Sequence, residues 1–216
     1  MRTRCWVEIS RRRIAANFRA VCKAAQPASV LGVVKADAYG HGAVEVARVL
    51  CAQGAEWLAV SSVAEGVALR RGGIPARILV MAGVMRGEHP LLGENNLTPV
   101  VHSLEELPQF RGKVHLKLDT GMNRLGTLAS PEDIARALHA APHVQLEGLL
   151  SHLASAADFT GRQTEDQVLA FERKLGALEA LGVHADLLHL AGTNAVAYPR
   201  AGTTRSLARP DRKSVV

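Results

Sequence analysis

The sequence predicts an α/β fold, a (β/α)8 TIM-like barrel whose C-terminal closure it leaves open. Three observations carry this. Short apolar runs alternate with amphipathic stretches from about residue 29 to the end of the chain. Eight such runs fit within 216 residues. The composition is 48% hydrophobic with only 4% aromatic residues, and Val, Leu, Ala and Gly dominate. Strands that alternate with helices pair in parallel, and parallel strands buried on both faces read as continuous aliphatic runs. A doubly wound open sheet is the competing arrangement.

Taken in order, "CWVEISRRRIAANFRAV" (5–21) predicts a short strand leading into a helix laid against the barrel. The candidate strands follow: "SVLGVV" (29–34), "WLAV" (57–60), "RILVMAG" (77–83), "LTPVVH" (97–102), "KVHLKLD" (113–119), "VQLEGLLSH" (144–152), "ADLLHLAG" (185–192) and "RSLAR" (205–209). Between the first two, Val44, Val46, Ala47 and Leu50 recur at helical spacing from Gly42 to Gly54. A second helix places Val168, Phe171, Leu175 and Leu178 on one face. Thr164 and Gln167 stand at capping-box spacing before it, and Gly182 fits its C-terminal stop. No Pro, Gly or Ser-rich linker interrupts the pattern, so the chain reads as one domain.

The formal charge is +6 with a pI near 9.6, which raises the question of an anionic partner. The arginines are scattered and no recognition motif accompanies them, so nucleic acid is not expected as a partner. No stretch is long enough to span a bilayer and the N-terminus has no apolar core of a signal peptide, so no membrane association is expected. Cys5, Cys22 and Cys51 have neither metal-ligand spacing nor a paired framework. The expectations are no metal, a reducing compartment and a cytoplasmic protein.

A barrel does its chemistry where its strands end. The first strand ends on Lys35, the fifth runs into Asp119 and the loop "TGMNRLG", the sixth ends on His152, the seventh on "HLAGT" and the eighth on Arg209. A lysine, two arginines and a histidine thus converge on one rim. A lysine closing a buried strand is solvated, paired or used covalently; a solvated end is the commoner case for an arbitrary strand. Among other cations, a primary amine also suits a Schiff base with an aldehyde cofactor that needs a phosphate cradle.

"VVKADAYGHG" (33–42) resembles the pyridoxal-phosphate attachment motif of alanine racemases, and "HLKLDTGMNRLG" (115–126) resembles that family's second signature. Their order and spacing agree, and the likeness covers about residues 5 to 210. It implies a pyridoxal 5'-phosphate enzyme interconverting L-alanine and D-alanine, the latter for peptidoglycan, and a homodimer for the full-length family member. Position by position, it implies that Lys35 holds the cofactor and serves as base on one face of Cα. Tyr39 would bond the phosphate; in isolation it would be a rim aromatic. Arg124 would reach the phenolic oxygen and the substrate carboxylate, although alone it would be a surface arginine in a Gly-rich loop.

Lys117 should share a face with His115 and Asp119. The likeness implies that it is carbamylated and orients Arg124; an unmodified lysine paired with Asp119 is the alternative. His152 would lie beside the cofactor and bond Arg209, where an isolated strand histidine would be a core residue. Arg209 would face the ring nitrogen and, because an arginine keeps its proton, leave that nitrogen unprotonated.

Two departures from the family pattern stand out. "HLAGTNA" (189–195) places Gly192 and Thr193 at the phosphate-facing pair, and Asn194 could serve after a one-residue shift. After Arg209–Pro210 the family continues with a Gly and a β-rich domain carrying the opposite catalytic tyrosine. This chain gives "DRKSVV" (211–216), which reads as a tail foreign to the family. The expected domain is therefore 1–210, truncated, with weak activity or none. Two further readings stay open: a single-domain pyridoxal-phosphate carrier without racemase activity, and the same fold with decarboxylase chemistry or another amino acid's racemisation.

Overall fold

The computed structural model describes residues 6–211. All eight predicted strands form, in the order α1 (Arg11–Ala25), β1 (Ser29–Val33), α2 (Lys35–Gly40), α3 (Ala43–Ala52), β2 (Trp57–Val60), α4 (Val63–Arg71) and β3 (Arg77–Val80). The chain continues through α5 (His89–Glu94), β4 (Leu97–Val101), a 3-10 helix (Leu104–Gln109), β5 (Gly112–Lys117), α6 (Pro131–His139), β6 (Val144–Leu150), α7 (Gln163–Ala180), β7 (Leu187–Gly192), α8 (Thr193–Ala197) and β8 (Leu207–Arg209). The strands pair in sequence order, each parallel to the next, and β1 pairs with β8 to close the barrel. The open-sheet alternative is set aside by that last pairing, Val30 against Ala208.

Side chains alternate along each strand, and the two faces bury different things. Val30, Val34, Leu58, Ile78, Val80, Val101, Leu116, Leu149 and Ala208 point outward into the core shared with the helices. Leu31, Val33, Trp57, Ala59, Leu79, Val100, Leu150 and Leu207 fill the barrel itself. Towards the amino ends of the strands the filling turns polar. Glu147 accepts from Arg77 and Lys113, and the Arg77 guanidinium lies over the Trp57 ring. His115 bonds His189 at 2.8 Å and approaches Glu147 at 3.4 Å, all three buried. Gly148 leaves room for this: a Cβ there would stand 2.6 Å from His115 Nδ1.

Two local expectations are corrected. Trp6–Ser10 form no strand, since no neighbouring strand lies beside them to take up their backbone bonds; Cys5 lies outside the described residues. The Thr164/Gln167 capping box does not form. Arg162 is the N-cap and makes no side-chain cap bond, because Gln167 spends its amide on the loop after β6, accepting from Ala154 N and donating to the His152 carbonyl. The segment α2 is a left-handed turn. Ala36, Asp37, Ala38 and Tyr39 have φ between +50 and +56. Gly182 does stop α7 with φ +75. Among the described residues, no helix is long and apolar enough to cross a membrane.

Candidate active site

The carboxyl-end layer of the barrel follows from the same alternation. The position two residues beyond each of Val33, Ala59, Leu79, Leu150 and Leu207 is the next one inward, and these are Lys35, Ser61, Met81, His152 and Arg209. With Lys117, two residues beyond His115, they line a cavity of about 260 Å³ at the barrel mouth, together with Tyr39, Arg124, Leu125 and Asp211. A second cavity of about 160 Å³ adjoins it, lined by His152, Gly192, Thr193, Asn194, Arg209 and Asp211. Every candidate named from the sequence therefore lies on one of two neighbouring cavities. Ser61 and Met81 had no such assignment.

The left-handed turn after Lys35 reverses the chain so that Tyr39 also meets the cavity. Such a turn strains non-Gly residues by on the order of 1–2 kcal/mol each, so something must hold it. Glu65 does so from the start of α4. One oxygen accepts from Ala36 N at 2.6 Å and the other from Ser61 N and Ser62 N. Asp37 caps α3 through Ala43 N at 2.7 Å, and His41 bonds the carbonyls of Ala38 and Tyr39. Gly40 and Gly42, at φ +83 and +85, complete the reversal.

Arg124 is carried by the loop after β5. Asp119 Oδ1 accepts from the backbone N–H of Gly121, Met122 and Asn123, which winds the loop back on itself. Thr127 then bonds the Lys117 carbonyl, and Gly126 at φ +114 sits where a Cβ would press on the backbone at 3.0 Å. Asp119 thus organises the loop, and its charge is felt by Lys117 without a direct ion pair between them among the described residues. His152 is set by Gln167 beneath its carbonyl and by Gly192, where a Cβ would stand 3.1 Å from His152 Cε1. The expected His152–Arg209 bond is not made. Arg209 donates to the Ser151 carbonyl, the acceptor its buried position reaches, while its Nε is buried without a partner.

Electrostatically the mouth is cationic. Burial, with the charges of Arg124 and Arg209, lowers Lys117 from 10.5 to about 8. Burial and then Arg209, Arg124 and Lys117 push His152 down to about 3, so it is neutral at physiological pH. Arg209 is displaced by burial and by Arg124 to about 10 and keeps its proton. The donor set suits an anionic aldehyde: an amine on the wall, further cations, the hydroxyls of Tyr39 and Thr193, and Arg209, which lines both cavities and whose buried Nε has no partner. Pyridoxal phosphate fits that set at every point but one, the Asp211 carboxylate.

The fold and mouth define a parallel-barrel protein built to take a small anionic ligand at its strand ends. Residues 9–210 match the family model described as alanine racemase, N-terminal domain. The chain is 36% identical over 213 residues to the alanine racemase of Synechocystis, covering 93% of this chain and 57% of that one. It is 37% identical to that of Symbiobacterium thermophilum, covering 87% and 52%. Its structure superposes on the Bacillus anthracis alanine racemase crystallised with L-Ala-P, with TM-score 0.87, 28% identity and coverage of 95% and 56%. For the Corynebacterium glutamicum alanine racemase the TM-score is 0.86 at 30% identity, with coverage of 94% and 61%. The chain belongs to the alanine racemase family, which is pyridoxal-phosphate-dependent. It spans about half the length of the curated relatives it matches.

Proposed function

We propose that this chain is the cofactor-bearing barrel of an enzyme that interconverts L-alanine and D-alanine, with Lys35 as the Schiff-base lysine. The observation that carries it is the placement of Lys35 at the barrel mouth, with Tyr39, Lys117, Arg124, His152 and Arg209 around one cavity. Bound there, pyridoxal phosphate supplies an aldehyde and an electron sink that acidifies the Cα–H of an amino acid. Lys35 binds the cofactor and, when its amine is free, takes or returns the Cα proton on its own face. Arg124 holds the substrate carboxylate. Tyr39, Gly192 and Thr193 take the phosphate end.

Arg209 would face the ring nitrogen of the bound cofactor and, keeping its own proton, would leave that nitrogen unprotonated, which would limit the electron sink and favour simple proton exchange over transamination. His152, neutral, would pack beside the ring and carries no charge near pH 7. Lys117, as a carbamate, would give Arg124 an anion to lean on. Dimerisation and a cytoplasmic location, where Cys22 and Cys51 stay thiols, belong to the same reading. The carrier alternative is not favoured, since the relatives above are all named as alanine racemases.

Purified protein mixed with pyridoxal phosphate should absorb at about 420 nm, and Lys35→Ala should abolish the band. Borohydride trapping that labels another lysine would refute the assignment.

A further inference from the structure

Among the described residues, Asp211 is the single carboxylate lining either cavity, whose walls otherwise carry Lys35, Lys117, Arg124 and Arg209. Its Oδ1 accepts from the Thr193 hydroxyl at 2.8 Å, and its own N–H donates to the same hydroxyl at 2.9 Å. The Tyr39 hydroxyl reaches Oδ2 at 3.5 Å. Both hydroxyls thus already serve an anion, and that anion belongs to the chain. Its backbone is fixed on two sides: the Pro210 carbonyl accepts from Val33 N at 3.3 Å, and Asp211 N is held by Thr193. Only a side-chain rotation that gives up Thr193 could clear the carboxylate from this place.

We propose that the Asp211 carboxylate occupies the seat of the cofactor's phosphate, so that this chain discriminates against the phosphorylated aldehyde relative to pyridoxal itself. The inference rests on the reading of Lys35 and the phosphate end given above. A phosphate brought between Tyr39 and Thr193 meets a like charge within a few ångströms in a partly buried site, where such repulsion is weakly screened. It also loses the two hydroxyls as donors. Pyridoxal carries a neutral hydroxymethyl group at that end, which can donate to the carboxylate instead of repelling it. Pyridoxal closes on itself as a hemiacetal through that hydroxymethyl group and must reopen before Lys35 can add, a cost that is the same in every variant, so each aldehyde is compared with itself across the proteins.

The test titrates the chain and its Asp211→Asn and Asp211→Gly variants separately with pyridoxal phosphate and with pyridoxal, following the band of the Lys35 adduct. Asp211→Asn removes the charge and keeps the shape, so it guards against an effect of backbone freedom in the glycine variant. Both variants should bind pyridoxal phosphate at least about tenfold more tightly than the parent, with pyridoxal shifted by less than about threefold. Equal affinity for pyridoxal phosphate in all three proteins would overturn the proposal. So would an equal gain for both aldehydes, which would mean a loosened site instead of a lifted charge. A band absent from every protein with either aldehyde, or retained in Lys35→Ala, would refute the Lys35 reading and take this inference with it.

Discussion

Lys117 shows how a single residue is set by its neighbours. Burial and the facing guanidinium groups of Arg124 and Arg209 lower it to about 8, so near pH 8 a large share of the amine is neutral, where an exposed lysine would be almost wholly charged. A neutral amine adds carbon dioxide, releasing a proton and becoming an anionic carbamate, which would relieve two cation–cation contacts together. In ¹³C-bicarbonate at pH 8 the protein should show one carbamate resonance, absent from Lys117→Ala and fading as the pH falls below 7. A spectrum without it would leave Lys117 as a plain amine. Much at this scale was legible, because a strand-end position and a residue type suffice to bring Lys35, His152 and Arg209 to one rim. Gln167 was misread, since spacing from Thr164 says nothing of whether the amide caps its own helix or the loop beneath His152. Asp119 was offered as a partner for Lys117, and its real partners are backbone N–H groups that a sequence does not display.

The strands were legible because each is an aliphatic run bounded by Gly, Pro or polar residues, and their number favoured a barrel while leaving open the closure that the β1–β8 pairing makes. The left-handed turn was not. "ADAY" has ordinary helical propensity, and only the carboxylates of Glu65 and Asp37, one of them far along the chain, hold it in a conformation those residues avoid. The buried pairs between strands carry a pH dependence of their own. His102, His115, His152 and His189 all lie below the ordinary 6.5, chiefly through burial. As pH falls through 6.5 the unfolded chain takes up protons that these folded sites refuse, so stability falls. Burial alone would raise Glu147, but His115, Arg77 and Lys113 hold it far below the usual carboxylate range, so its contribution is full above 4.5 and is lost only at more acid pH. The urea midpoint should therefore drop from pH 7 to 5, before that carboxylate is touched. A double His115→Gln, His189→Gln variant should show a shallower slope over the same interval. A parent profile flat from pH 7 to 5 would contradict the burial of these rings as neutral groups.

At the scale of the whole molecule, the barrel presents its chemistry from one side. Racemisation requires proton removal on one face of Cα and delivery on the other, by two groups within reach of the same carbon. Lys35 meets the cavity from β1. Lys117 lines it too, and as the carbamate proposed above it would orient Arg124 instead of taking the Cα proton. The chain has two tyrosines: Tyr39, committed to the anion end, and Tyr198, which is 51% exposed and lines neither cavity. Among the described residues the proposed site therefore holds one positioned base, and lack of a general acid–base partner costs about 10²- to 10⁴-fold. One base can still remove a proton and return a solvent-derived one to the face it came from. In D₂O, with saturating cofactor, the chain should exchange the Cα proton of one alanine enantiomer with retention at least about a hundredfold faster than it forms the other. Mass spectrometry of the recovered alanine gives the exchange rate, and chiral chromatography gives the interconversion rate. If the two rates match, the barrel holds a second base on the opposite face, and the one-sided reading of its mouth is wrong.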